Sequence, residues 1–224
     1  MFDGVGSPLS QTFGFGLFAP PTDDDLATIE RFFLDRGAEV FHEVSPLADP
    51  AVLGLMADRG YRPVELTTVM HTPIAESTLP RTAIGSSLSV RRTEAGEEDR
   101  WADTAARGWG DTPELAAFIR QFGEISARAH GVTCFVVESE GRSIAAAALA
   151  IHDGVALLAG ASTDPAFRGR GAQAALLGSR LRYALESGCD LAMMGAAPGS
   201  ASQRNGERQG FRIAYTRIKW GLSR

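Results

Sequence analysis

Ala159-Gly-Ala-Ser-Thr-Asp-Pro-Ala-Phe-Arg-Gly-Arg-Gly-Ala-Gln-Ala174 is the stretch from which the rest of the chain is most readily ordered. An apolar run, Val155 to Ala161, ends in a turn at Asp164-Pro165, and a basic loop, Arg168-Gly-Arg-Gly171, leads straight into a helix. Backbone N–H groups in such a loop, together with the positive end of a helix, form an anion site suited to a phosphate or pyrophosphate. Gly169 and Gly171 allow close backbone approach, and Arg168 and Arg170 add charge beside it. The preceding strand puts the loop at the carboxyl end of a sheet.

The surrounding elements follow from periodicity. Gly171 to Ser187 reads as a helix with Leu177, Leu181, Ala184 and Leu185 on one stripe, Arg180, Arg182 and Glu186 off it, and Gly188 as its stop. A strand over Asp190–Gly195, a polar helix over Ser200–Gln209 and a strand over Phe211–Trp220 close the chain. Upstream, Val132–Glu138 and Ser143–Ile151 read as paired strands around Glu140-Gly141. Two helices come before them: Glu94–Arg107, capped by Thr93, and Pro113–Ala129, capped by Thr112. A strand over Ser86–Arg91 opens this part, giving the order β-α-α-β-β-β-α-β-α-β.

The first eighty residues read as a partial βαβαβ copy. Its strands are Phe13–Phe18, Glu39–Val44 and Arg62–His71, and its helices Asp23–Arg36 and Pro50–Arg59. Gly37-Ala-Glu-Val40 and Arg59-Gly-Tyr-Arg62 line up with Gly188-Cys-Asp-Leu191 and Gln209-Gly-Phe-Arg212, the glycine separations differing by a single residue. Repetition on this scale implies two related sheets, although two ordinary α/β segments would also give such a spacing. In place of the basic loop the first copy has Pro20-Pro-Thr-Asp-Asp-Asp25, which suits a helix dipole but repels an anion. Residues 1–80 are therefore expected to be structural, with apolar faces supplied by Phe32, Phe33, Leu53 and Leu55. Thr72–Gly85 is the linker, and residues 86–224 carry the site.

Composition bounds the function. The chain is 44% apolar and 22% charged, with a net charge of −5 and a pI near 5.4. A local arginine pair on an acidic body suits a small anion and disfavours nucleic acid or an anionic membrane. Cys134 and Cys189 lie in apolar runs without metal-ligand spacing, so buried reduced thiols are expected and no metal site. No signal peptide or membrane span is visible, which predicts a cytoplasmic protein. Neither a Ser-His-Asp order nor a Walker loop appears. Gly169, Gly171 and Ala174 fit a loose dinucleotide fingerprint, but Thr163–Arg168 separates the strand from the first glycine, unlike a Rossmann turn.

From residue 86 onward the element order resembles the GNAT superfamily of acetyl-CoA-dependent N-acetyltransferases. The family's loop pattern, Gln/Arg-x-x-Gly-x-Gly/Ala, matches at Arg168 and Gly171, with Gln173 in the last small-residue position. Thr163-Asp-Pro165 is similar to the apolar-x-Pro run before that loop, and Asn205 with Gly210-Phe211 to the family's last helix and strand. The resemblance implies a mixed sheet flanked by helices, with acetyl-CoA as co-substrate. Arg168, Gly169, Arg170, Gly171, Ala172 and Gln173 would wrap the pyrophosphate. Ala161, Ser162 and Thr163 would pair with the pantetheine arm in the manner of an added strand, and Asn205 would approach the thioester end. It further implies acetyl transfer to a primary amine on a small-molecule or terminal-amine acceptor; pairing into a homodimer is compatible with it.

Amine acetylation needs alignment, proton removal and oxyanion stabilisation. An amide near Ser162 or Thr163 is placed to polarise the carbonyl. Asp111 and Glu114, beside Trp109, are the candidate bases, with solvated helix-start carboxylates as the plain alternative. His152 and Glu124 are weaker candidates. Trp109 is either a lid or core, and Trp101 is core. The family's tyrosine, four residues before Gly-Phe, is replaced here by Gly206, and Tyr215 is the nearest later phenol. A non-catalytic acyl-CoA-binding module and a nucleotide-binding protein stay open beside the transferase.

Overall fold

The computed structural model describes residues 1–77, 79, 88–109 and 112–222. Two compact units divide the chain, one of residues 1–70 with 195–224 and the other of residues 71–194.

The first unit opens with a two-residue strand, β1 (Thr12–Phe13), followed by α1 (Asp23–Leu34), β2 (Phe41–Val44) and α2 (Ala51–Asp58). β3 (Tyr61–Pro73) leaves this unit near its end. β1 is much shorter than the expected Phe13–Phe18 because Gly14 and Gly16 both take positive φ, 75° and 76°, and turn the chain out of the sheet. β2 pairs in parallel with β1 and antiparallel with the final strand, Phe41 facing Gly221 and Val44 facing Ile218. The core here gathers Leu26 and Phe33 from α1, Val40 and Val44, and Val52 and Met56 from α2, with Leu55, Trp220 and Leu222 against them. Of the four residues expected to supply apolar faces, Phe33 and Leu55 enter the core of this unit, whereas Phe32 and Leu53 are exposed.

The second unit holds β4 (Ser89–Arg92), α3 (Glu98–Arg107), α4 (Pro113–Arg128), β5 (Val132–Ser139), β6 (Arg142–His152) and β7 (Val155–Thr163). A 3-10 turn over Pro165–Phe167 leads to α5 (Ala172–Glu186) and β8 (Leu191–Ala196). Here the strand order is β8-β7-β6-β5-β4, parallel at β7–β8 and antiparallel elsewhere. Alternation along β5 assigns the two faces: Cys134 and Val136 pack with Trp101 of α3, and Phe135 meets Tyr183 of α5. The sheet is thus mixed and flanked by helices on both faces. After β8 come α6 (Ala201–Arg208) and β9 (Arg212–Leu222), which belong to the first unit.

The first helix of the second unit starts later than the capping pattern suggested. Thr93 N–H still donates to the Cys134 carbonyl at 3.0 Å, so the strand's pairing continues through the expected cap. Glu97 is the N-cap instead, its carboxylate taking two bonds from Arg91, at 2.7 and 2.8 Å, and one from the Glu94 N–H at 2.8 Å. Those bonds hold the Glu97 carboxyl down at about 2. The expected strand over Ser86–Arg91 begins at Ser89; residues 80–87, with most of the expected linker, lie outside the described residues.

One order of elements occurs twice along the chain. Helix, glycine, strand, eight-residue helix, glycine and long strand occur in the same order from α1 to β3 and from α5 to β9. Gly37, Gly60, Gly188 and Gly210 all take left-handed backbone, with φ of 71°, 86°, 81° and 89°. Each supplies the conformation that ends a helix, which a side chain would strain.

Candidate functional site

β7 carries a bulge that prepares its carboxyl end. Ala148 faces Ala159 and Ala146 faces Ser162, so Gly160 and Ala161 both stand opposite Ala147. Gly160 meets this with φ +59°. Parallel pairing with β8 ends where Leu158 faces Met194, yet β7 runs on to Thr163. Among the described residues, Ala159–Thr163 are therefore paired on the β6 side alone. Their outer edge offers backbone groups to an extended ligand.

Side chains on this edge are already engaged. Ser162 Oγ donates to the Ala105 carbonyl at 2.8 Å, and Gln173 Nε2 donates to Thr163 Oγ1 at 2.7 Å. Both Ser162 and Thr163 are buried, whereas Ala161 is exposed. Gly108 presses directly on this strand; a Cβ there would lie 2.4 Å from that of Ser162. Arg168 reaches back to the same place, Nη2 donating to the Gly108 carbonyl at 2.8 Å.

Below the loop sits a compact ionic knot. Asp164, buried, caps the 3-10 turn by accepting from the Ala166 N–H at 3.1 Å and takes Arg142 Nη2 at 2.7 Å. Arg107 Nε stands 3.9 Å from the same carboxylate oxygen and is buried without a hydrogen-bond partner, while its Nη2 donates to the Ser143 carbonyl. Two guanidinium groups, those of Arg142 and Arg170, stand over the Phe167 ring, at 5.2 and 5.0 Å from its centroid. One carboxylate set among Arg107, Arg142, Arg168 and Arg170 leaves the loop positive.

Gly171 is the N-cap of α5 with φ 84°, no side chain caps it, and no acid lies in the helix's first turn. Gly169 has φ 77°, and a Cβ at either glycine would meet nothing within 4 Å. The main chain here faces open space. Ala172 begins the helix, and the first N–H groups of a helix have no partner within it.

The structure thus brings Ala161, Ser162, Thr163, Arg168, Gly169, Arg170, Gly171, Ala172 and Gln173 into one continuous segment of one unit. Asn205 belongs to the other unit, on α6, where its Oδ1 accepts from Arg208. Asp111 lies outside the described residues, as does the side chain of Glu114, whose backbone is in the first turn of α4. His152 is exposed and pairs with Asp153, Glu124 pairs with Arg120 within α4, and Trp109 is 42% exposed. Trp101 is core, its Nε1 donating to the Phe135 carbonyl at 3.1 Å. Gly206 is buried within α6. Cys134 and Cys189 are buried free thiols, and burial pushes Cys134 up to about 12.

Sequence reasoning missed Arg107, Arg142 and Arg180. The buried stripe of α5 runs through Ala172, Leu176, Arg180 and Ala184, with Ala175 and Leu181 beside it. Its four-residue spacing was readable, but Leu177 and Leu185, assigned to the stripe, are only half-buried. An arginine interrupts an apolar pattern, so the periodicity pointed one residue away.

Residues 88–200 match a family model described as an acetyltransferase (GNAT) domain. Among solved structures the fold is similar to a GCN5-related N-acetyltransferase from Kribbella flavida, with a TM-score of 0.71 and 21% identity over 90% of this chain and 75% of that one. It is also similar to a GCN5-related N-acetyltransferase from Sphaerobacter thermophilus, with a TM-score of 0.61 and 17% identity over 84% and 61% of the two chains. A tandem GNAT protein from the clavulanic acid biosynthesis pathway gives 0.65 and 16% over 90% and 70%. No curated protein matches the sequence. Among the described residues no helix is long and apolar enough to cross a membrane.

Proposed function

The chain belongs to the GNAT acetyltransferase family, and on that premise we propose that it transfers the acetyl group of acetyl-CoA to a primary amine. The observation that supports this best is the uncapped start of α5, Gly171, following a strand whose outer edge is open beyond Leu158. A pyrophosphate at Arg168–Gln173 would use the helix-start N–H groups and the flanking arginines. An extended pantetheine arm would add to the Ala159–Thr163 edge, bringing the thioester carbonyl to backbone donors there. Asn205 is proposed for the thioester end, and an acceptor that is a small molecule or a terminal amine would approach from the α3–α4 side.

Chemistry at that point asks for alignment first. The amine nitrogen attacks the thioester carbon, a tetrahedral oxyanion forms, and collapse expels the thiolate while the nitrogen loses a proton. Asp111 and Glu114 are the proposed proton acceptors. Replacing each by alanine should lower kcat at neutral pH and leave coenzyme A affinity unchanged.

Free-thiol release from acetyl-CoA across a panel of amines tests the reading. Amine-dependent release supports transfer. Tight coenzyme A binding with no release across the panel would favour a non-catalytic acyl-CoA-binding module, a second reading supported by Gly206 in place of a phenol that would protonate the leaving thiolate.

A further inference from the structure

Arg180 is a buried cation with no task in this chemistry. It is 4% exposed, and among the described residues no carboxylate pairs with it. Its partners are main-chain carbonyls: Nη1 donates to Ala148 at 3.1 Å and to Ala159 at 3.4 Å, and Nε to Leu176 of its own helix at 3.3 Å. Burial alone pulls the guanidinium down to about 10. An apolar side chain would fill such a place without the desolvation cost, so the charge is expected to serve something other than packing.

Position supplies that something. Ala148 and Ala159 face each other as the last regular pair of β6 and β7 before the bulge. Arg180 therefore bridges both strands at the point where one of them gains a residue. On the opposite face Trp101 backs the bulge, since a Cβ on Gly160 would come 3.8 Å from its ring. Both bonds leave one nitrogen, Nη1, and the Nε bond to Leu176 fixes the guanidinium plane in which its two N–H groups lie, whereas the N–H groups of an ammonium turn freely. Register matters here because a slip of one residue reverses every side chain. Ser162 would leave the Ala105 carbonyl, Thr163 would leave Gln173, and the strand edge beside the loop would change its backbone groups.

We propose that Arg180 is a positioning residue for acetyl transfer: by bridging the Ala148 and Ala159 carbonyls it fixes the bulge, and with it the register in which the Ala161–Thr163 edge meets the thioester arm. This rests on the acetyl-CoA reading above. The helix start and its arginines lie outside the bridge, so loss of Arg180 should weaken coenzyme A binding only through the pantetheine edge and should lower turnover more than affinity.

The test compares Arg180→Met and Arg180→Lys with Leu181→Ala in the full chain. Leu181 is buried on the same helix and its side chain has no hydrogen-bonding group, so it supplies a variant destabilised by packing loss alone. Three quantities are read: coenzyme A affinity by calorimetry, amide exchange in peptides covering 155–163, and kcat and KM for acetyl-CoA with the best amine of the panel. Arg180→Met is expected to raise exchange at Ala159–Thr163 about tenfold beyond Leu181→Ala at equal Tm, through local opening. Its kcat should fall about 100-fold, the scale of a small misplacement of reacting groups, with a smaller rise in KM from the disturbed pantetheine edge. Arg180→Lys, which keeps the charge and loses the fixed plane and the Nε bond, should recover less than half of that loss on a logarithmic scale. Wild-type exchange and kcat in Arg180→Met, or full rescue by lysine, overturns the proposal. If Arg180→Met does not fold, Arg180→Lys against Leu181→Ala decides by the same criteria. If the wild-type chain binds no coenzyme A, the acetyl-CoA reading falls, and with it the positioning role; the exchange comparison then reports separately on whether Arg180 holds the bulge.

Discussion

Thr22 and Gly171 hold the same station, the residue before the first turn of a helix, and they close it in opposite ways. Thr22 Oγ1 accepts from the Asp25 N–H at 3.1 Å while Asp25 Oδ2 accepts from the Thr22 N–H at 3.0 Å, a reciprocal box with Asp23 and Asp24 beside it. Gly171 offers no side chain at all. The first helix start is therefore satisfied by the protein and negative; the second is open and flanked by arginines. One coenzyme A should bind per chain. Calorimetric titration measures this directly, and two equivalent sites would contradict the assignment of the first copy as structural.

A second expectation concerns truncation. β9 pairs with β2 from Phe41–Gly221 to Val44–Ile218, and Trp220 and Leu222 pack on the core of the first unit. Removing residues 1–80 takes away both the partner strand and that core, uncovering apolar surface. The remaining chain should aggregate or lose β9, seen as solvent-exposed Trp220 fluorescence and a broadened elution profile. A monodisperse fragment with Trp220 still shielded would show that residues 86–224 fold alone.

His42 predicts a pH dependence. It is fully buried between the Thr12 hydroxyl, 2.7 Å from Nδ1, and the Tyr61 hydroxyl, 3.2 Å from Nε2, and burial lowers it from 6.5 to about 4. Both hydroxyls serve a neutral ring. Between pH 6.5 and 4 the unfolded chain binds a proton that the native one does not, so the contribution is complete above 6.5 and is lost as pH falls. The shift is worth roughly 3 kcal/mol at most. In urea denaturation the stability gap between wild type and His42→Gln should narrow from pH 7 to pH 4.5. A constant gap would mean that His42 is not held neutral.

Much of this was open to reading in the sequence because it is local. The loop from Asp164 to Gly171, the Pro113 start of α4 and the glycine stops shared by the two copies depend on a few adjacent residues. What escaped depends on distant partners. Glu97 displaces Thr93 as a cap because Arg91, which also binds Glu138 on β5, claims its carboxylate. The bulge at Gly160 exists only against β6, and Arg180 is buried only because carbonyls of Ala148 and Ala159 receive it. No spacing rule encodes either.

If the α5 start binds the pyrophosphate of acetyl-CoA, titration of wild type, Gly171→Ala and Gly171→Glu with coenzyme A will separate the three chains. A Cβ at Gly171 meets nothing within 4 Å, so both variants share only the backbone cost of φ 84°, about 1–2 kcal/mol. Alanine therefore controls for strain, and glutamate adds a carboxylate where the anion should sit. With all three chains folded by circular dichroism, wild type should bind one coenzyme A, alanine should bind it more weakly and glutamate not at all. Binding to the glutamate variant with wild-type affinity would contradict the account.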